Sequence, residues 1–398
     1  MGNEGILARS LNKSALDGAL ADAHRHTWSI LADLDEARWR VPYLPGINPP
    51  LWELGHLAWF AEWWILREAG PDQRGDTVAT RPSMLADADR WFDSGRVEHS
   101  TRWHLDLPSL AALRDYRDAV LDAVRTRLAD APDDDAALYP YRLALFHEDM
   151  HGEALIYLRQ TLNYASVFPI AVASLDERDD VATLEGGAFR MGSPTTDGFA
   201  FDNEALAHEK HVEAFTIDVQ CVSNRAVLEF VEAGGYRDAR FWSDAGAAWL
   251  GRAMLSHPAR WRRSKDGTGE RWEQLWFGSW QPLPLDRAVC HVNAYEAEAY
   301  CAWAGRRLPT EAEWELAATR GIIRWGEAVW EWMADPFTPY AGFVAGPYKE
   351  YSEPWFYTHR SVRGASFATH PRMRHPRYRN FYTPERNDIF VGFRTCKT

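Results

Sequence analysis

The sequence predicts an α+β protein: a four-helix bundle followed by a mixed α/β domain with little regular structure. Two observations carry that expectation. Up to Pro169, apolar residues recur three and four apart and chain-breaking residues fall between the periodic stretches, the pattern of amphipathic helices. Beyond Pro169 the texture changes to short strand-like runs separated by Gly, Pro, Asn and Asp. A chain of 398 residues suits two or three domains of about 150 residues, each able to bury its own core. The boundary is expected near 175, dividing the chain into 1–175 and 176–398.

The first helix is expected from Ser14 to Leu34. The second opens at Asn48-Pro49-Pro50, with Asn as the cap and Pro at the first helical position, and stops at Gly70-Pro71. Its apolar face includes Leu51, Leu54 and Ala58. The third spans Pro108 to Ala129 and the fourth Tyr141 to Asn163. Between Asp72 and Leu107 runs a long crossover, as a bundle that pairs non-adjacent helices requires. In the second half, helices are expected at Asn293–Ala304 and Glu311–Thr319. The remainder reads as ordered loop rich in Trp and Tyr, the kind of segment that carries function.

Hydrophobic residues make up 46% of the chain and charged residues 25%, ordinary globular usage that excludes disorder and fibrous folds. Lys and Arg number 44 against 57 Asp and Glu, a formal charge of −13 that leaves no basic field for a polyanion. Nucleic acid and anionic membrane are therefore not expected partners. The most apolar stretch, Leu51 to Leu66, is interrupted by Glu53, His56 and Glu62 and is too short to span a bilayer. Four cysteines without a C-x-x-C pair fit a reducing, cytoplasmic setting. Aromatic residues are abundant. Twenty Trp, 15 Tyr and 18 Phe supply large rigid walls for pockets as well as for a core.

The strongest local signal is His147-Glu148-Asp149-Met150-His151-Gly152-Glu153 on the fourth helix. Residues four apart lie one turn apart on one face, so His147 and His151 can point ring nitrogens at one metal ion. His56 sits mid-helix among apolar and aromatic residues, where a bare imidazole needs a polar partner. Three neutral imidazoles from two neighbouring helices would form an N3 site with open positions, suited to a catalytic iron or zinc. Glu153 is expected to orient an imidazole. The same run also matches H-E-x-x-H, in which Glu148 would be the general base of a zinc hydrolase. It lacks the extended metzincin form, because Ala154 and Tyr157 stand at the Gly and third His positions. A third reading is a metal-free module whose Trp-rich pocket captures a betaine.

These residues resemble a known pair of domains. The three histidines and the H-x3-H-x-E helix resemble a DinB-like metal-binding bundle. The second half resembles the formylglycine-generating-enzyme, or sulfatase-modifying-factor, fold, a C-type-lectin-like mixed α/β domain. The motifs that carry this likeness are Gly186 to Ser193 (Gly-Gly-Ala-Phe-Arg-Met-Gly-Ser), Arg307 to Glu315 (Arg-Leu-Pro-Thr-Glu-Ala-Glu-Trp-Glu), Val329-Trp330-Glu331-Trp332, Arg363 to Phe367 and Gly392-Phe393-Arg394. Ala368 to Arg379 contains no Cys, so the copper-thiolate chemistry of formylglycine generation is not expected.

The combination resembles the ergothioneine-pathway sulfoxide synthases and selenoneine synthase. Members of that family hold nonheme iron(II), Fe(2+), through three histidines. They use O2 to join sulfur or selenium to the imidazole carbon of hercynine, the trimethylated betaine of histidine. The resemblance implies His56, His147 and His151 as metal ligands. It also implies Asn380 and Phe381 as hercynine contacts and Arg386 as a contact of the second substrate. A C-terminal Tyr is implied as the proton donor, with Tyr340, Tyr348, Tyr351 and Tyr382 as candidates.

Three departures point toward selenoneine synthase. Tyr382 stands where users of gamma-glutamylcysteine carry an acidic residue, and Met150 stands where many have Gln. The second helix reads Leu-Trp-Glu-Leu-Gly-His in place of Lys-Trp-His-Leu-Ala-His. The expected activity is therefore carbon-selenium bond formation between hercynine and a selenosugar, with Arg96 and Arg102 of the crossover lining the donor pocket and Tyr382 among the substrate-binding residues. The alternative is a sulfoxide synthase that takes a thiol donor such as gamma-glutamylcysteine or cysteine.

Overall fold

The computed structural model describes residues 4–71, 77–169, 172–176, 180–194, 196–266 and 269–398. Helices α1 (Glu4–Ala8), α2 (Lys13–Leu31), α3 (Glu36–Trp39), α4 (Pro50–Ala61), α5 (Ala88–Phe92), α6 (Leu110–Asp130) and α7 (Asp135–Thr161) build the first half. The three longest helices, α2, α6 and α7, start where a short polar side chain can satisfy a free backbone N–H. Asn12, Ser109 and Asp134 accept from the amides of Ala15, Ala112 and Ala137. On α2 the buried stripe is Leu16, Leu20, Ala23, Thr27, Ile30 and Leu31, and burying each large apolar member stabilises the helix by about 1.5–3 kcal/mol. α2 packs on α7 and α6, and α4 packs on α6 and α7. The first helix thus pairs with the last, which the crossover makes possible.

Several expected boundaries move for local reasons. α2 stops at Leu31 rather than Leu34, and α7 starts at Asp135 rather than Tyr141. Pro140 lies early enough in α7 for the helix to absorb one lost bond. Asn48 does not cap α4. Pro49 precedes the helix with no side-chain cap bond, and the Asn48 amide donates instead to Glu53 Oε1 at 2.6 Å. α4 is buried on every side from Trp52 to Phe60 and runs into a π-helical turn, Glu62–Leu66. Glu62 anchors that turn. Its carboxylate accepts from Tyr116 Oη at 2.5 Å, Ser83 Oγ at 2.6 Å and the amide of Met84.

The second half contains α8 (Asn224–Glu232), α9 (Asp244–Ala253), α10 (Ala294–Ala304) and α11 (Glu311–Thr319). The last two match expectation, and both open with a reciprocal cap: Asn293 with Glu296, and Thr310 with Glu313. α8 and α9 replace expected loop, and Ser223 and Ser243 cap them. One four-stranded sheet orders Arg379–Tyr382, Arg360–Gly364, Trp330–Pro336 and Val391–Gly392, the last pair parallel. A second orders Arg306–Arg307, Cys396–Lys397, Phe215–Asp218 and Val181–Leu184.

Buried ion pairs tie the first sheet to α11. Arg379 forks onto Glu311 at 2.8 Å through both contacts, and Arg363 bridges Glu311 at 3.1 Å and Glu315 at 2.5 Å. Arg394 closes a similar fork on Glu331. The basic run from Arg372 to Arg377 is spent on internal pairs: Arg372 holds Asp149 and Asp22, and Arg377 holds Asp197. Among the described residues, no helix is long and apolar enough to cross a membrane.

Candidate metal centre

α4 and α7 cross so that His56 faces the two α7 histidines. One ring nitrogen from each of His56, His147 and His151 lies within 4.8 Å of the others. Ring centroids are 5.1 Å apart for His56 and His147, 5.0 Å for His56 and His151, and 4.4 Å for His147 and His151. Two of the rings are aimed by an acceptor behind them. His56 Nδ1 donates to the Phe92 carbonyl at 2.8 Å, and His151 Nδ1 donates to Glu53 Oε2 at 2.5 Å. Each bond leaves Nε2 as the free nitrogen. His147 lies flat on Phe60, with centroids 3.5 Å apart, and its Nε2 is buried without a hydrogen-bond partner.

A buried imidazole nitrogen that nothing satisfies is costly, and a bound cation removes the cost. Electrostatics agree with that use. Burial pushes His56 down to about 3 and His147 well below the usual histidine range, so both are neutral at physiological pH, the state a metal ion requires of an imidazole. Burial would raise Glu53, but His151 beside it outweighs burial and holds the carboxyl at about 2. The donor set fits a divalent iron or zinc with open positions.

Beside this trio lies a cavity of about 200 Å³, lined by two of its members, His147 and His151. α7 contributes Met150 and Tyr157, and the second half contributes Tyr348, Tyr351, Tyr378, Asn380 and Tyr382. The Tyr348 ring is 6.2 Å from His147 and 5.0 Å from Phe60. Tyr351 Oη reaches Met150 Sδ at 3.5 Å and Tyr378 Oη at 3.3 Å, and Tyr382 Oη accepts from Asn380 Nδ2 at 3.2 Å. Burial raises Tyr348 to about 12 and Tyr351 and Tyr382 well above the usual phenol value, so all three carry their proton.

Other expected site residues stand elsewhere. Tyr340 does not reach the cavity: it packs under Arg379 and accepts from Arg363 Nη1 at 3.3 Å. Phe381 stacks on Phe337 at 4.1 Å, one layer behind the wall. Arg386 forks onto Asp388 at 2.9 and 2.6 Å and donates to the Gly46 carbonyl, lying behind Tyr157 and Tyr382. Arg102 is outside the cavity, stacked on Trp52. Arg96 lines a second cavity of about 430 Å³, walled by Trp59, Trp63 and Trp64 and bordered by Phe60 and Tyr348.

Glu153 does not orient an imidazole. It receives Trp330 Nε1 at 2.8 Å, Ser366 Oγ at 2.5 Å and Thr369 Oγ1 at 2.6 Å, joining α7 to the second half. Glu148 pairs with Arg117 at 2.6 Å and does not line the cavity, which leaves a zinc hydrolase without its base. The orienting carboxylate is Glu53, which the sequence reading passed over. Its signal was the spacing of three from His56, which places both on one face of α4.

Comparison with known proteins follows the same division. The DinB superfamily pattern matches residues 19–157, and the Sulfatase-modifying factor enzyme 1-like domain matches 170–328 and 325–398. Hercynine oxygenase from Mycolicibacterium thermoresistibile is 34% identical, covering 96% of this chain and 94% of that protein. The protein of the same name from Mycolicibacterium smegmatis is 32% identical over 92% of this chain and 94% of its own length. Formylglycine-generating enzyme from Thermomonospora curvata is 35% identical over 36% of this chain and 49% of its own.

Proposed function

Because the chain belongs to the hercynine oxygenase family, we propose that it uses O2 to join the sulfur of a small thiol, such as gamma-glutamylcysteine or cysteine, to the imidazole carbon of hercynine. One observation carries the reading: three ring nitrogens within 4.8 Å, one unsatisfied, beside a tyrosine-walled cavity that His147 and His151 line. His56, His147 and His151 would hold iron(II), which when bound supplies redox chemistry and open positions for reactants. The protein's own groups do the positioning. Glu53 and the Phe92 carbonyl fix two rings.

The cavity recognises a trimethylammonium group through aromatic faces, since that cation has no N–H to donate. Asn380 supplies the polar contact for the rest of hercynine. Tyr348, beside His147, holds a proton at its phenol oxygen and delivers it to the reacting centre; Tyr351 and Tyr382 shape the wall. In this reading residues 1–175 hold the metal and 176–398 supply most of the substrate wall. The four cysteines are all free thiols, which supports a reducing, cytoplasmic setting.

A second reading, carbon-selenium bond formation with a selenosugar, is favoured by one observation. Among the described residues none lining the metal cavity is Lys or Arg, and Arg386 is occupied by Asp388. An amino-acid donor therefore finds no free cation there for its carboxylate, whereas the second cavity, with Arg96 at its edge, offers indole faces on which a sugar stacks. The experiment incubates iron-loaded protein with hercynine, O2 and either gamma-glutamylcysteine or a selenosugar, and weighs the product. A sulfoxide establishes the first reading and a selenium-bearing imidazole the second. Absence of any hercynine-dependent O2 consumption overturns both.

A further inference from the structure

Arg102 reaches two of the three histidines by separate routes. Its Nη1 donates to Asn48 Oδ1 at 2.8 Å, Asn48 Nδ2 donates to Glu53 Oε1 at 2.6 Å, and Glu53 Oε2 accepts from His151 Nδ1 at 2.5 Å. The chemistry of this chain allows one direction only. A guanidinium can only donate and a carboxylate can only accept, so the Asn48 amide must turn its oxygen to Arg102 and its nitrogen to Glu53. By the second route the guanidinium lies over Trp52, 4.0 Å from the ring centroid, and Trp52 stacks on His56 at 4.6 Å and 12°. Trp52 is itself pinned by Nε1 donating to the Trp91 carbonyl at 2.6 Å.

We infer that Arg102 is a positioning residue of the metal centre, a clamp from the crossover that fixes His151 through Asn48 and Glu53 and fixes His56 through Trp52. The inference rests on the reading of His56, His147 and His151 as metal ligands. Arg102 is also anchored for that task, because its Nη2 donates to the carbonyls of Val97 at 3.2 Å and Ser94 at 3.4 Å. Its charge faces the buried Glu53 carboxylate. Planarity matters to both routes. A guanidinium can lie on an indole and donate in its own plane at once, which an ammonium cannot do. The crossover, a loop by its sequence, thereby becomes part of the apparatus that sets imidazole geometry.

The test uses cobalt(II) as the metal probe in the anaerobic full-length protein. It reads the dissociation constant and the visible d–d absorption of wild type, Arg102→Met, Arg102→Lys and Asn48→Leu. Arg114→Met, which removes another Arg–Trp stack from the bundle, is the control for packing alone. Arg102→Met and Asn48→Leu are expected to weaken cobalt binding on the order of 10- to 100-fold and to shift the band. Arg102→Lys recovers part of the affinity, and Arg114→Met changes neither readout. Wild-type affinity and spectrum in Arg102→Met overturn the inference while leaving the ligand assignment standing. If Arg102→Met does not fold, Asn48→Leu decides by the same readouts. Failure of the wild type to bind cobalt overturns the ligand assignment and this inference together.

Discussion

His147 brings to the centre a nitrogen that no protein group satisfies, while its ring is held by stacking on Phe60. Replacing it removes a ligand without opening an ion pair. His147→Ala is therefore expected to lose stoichiometric metal, measured by elemental analysis, while circular dichroism stays that of the wild type. Tyr348 is different in kind, since it approaches the centre without being able to complete the trio of imidazoles. Tyr348→Phe should keep metal affinity and lower kcat on the order of 10²- to 10⁴-fold, the usual contribution of a positioned proton donor. Equal turnover by the two proteins in a single-turnover assay would remove Tyr348 from the reaction. The histidine pair on α7 was legible because the i, i+4 rule is local. Glu53 and its hold on His151 were not, because that bond spans two helices and exists only after they pack.

At the scale of elements, α11 depends on the charge of its first residue. Burial works against ionising Glu311, but the Arg379 and Arg363 guanidiniums outweigh it and hold the carboxyl at about 2, against 4.5 when unperturbed. A depressed carboxyl adds stability above the unfolded value and loses it as pH falls toward the folded one. The wild type should thus lose about 3 kcal/mol from this group between pH 4.5 and about 2. In chemical denaturation, the gap between wild type and Glu311→Gln should narrow over that window; a gap independent of pH contradicts the assignment.

α10 and α11 were readable from sequence because Asn293 with Glu296 and Thr310 with Glu313 write a reciprocal cap into four residues. α8 was readable in principle, with Ser223 before a stripe of Val227, Phe230 and Val231, but it is only nine residues long and Gly234-Gly235 follow it closely, so it reads as loop. The π-helical turn after α4 had no sequence signature. It depends on Glu62 gathering Tyr116, Ser83 and Met84 from elsewhere in the chain.

At the scale of the whole molecule, the two halves meet along α7. Arg372 forks onto Asp149 at 2.6 and 3.0 Å and reaches Asp22 of α2 at 3.0 Å. Removing the cation leaves a buried carboxyl behind, so Arg372→Met should cost about 3 kcal/mol in urea denaturation. A cost near zero would show that this ion pair adds nothing to the join between the halves. The grip of Trp330, Ser366 and Thr369 on Glu153 has a different consequence. It lies two residues beyond His151, so the second half is indexed to the very rod that carries two of the three histidines. A chimaera that borrowed only a relative's second half would inherit that relative's taste for donors only if that half carried its own counterparts of Trp330, Ser366 and Thr369 to grip Glu153.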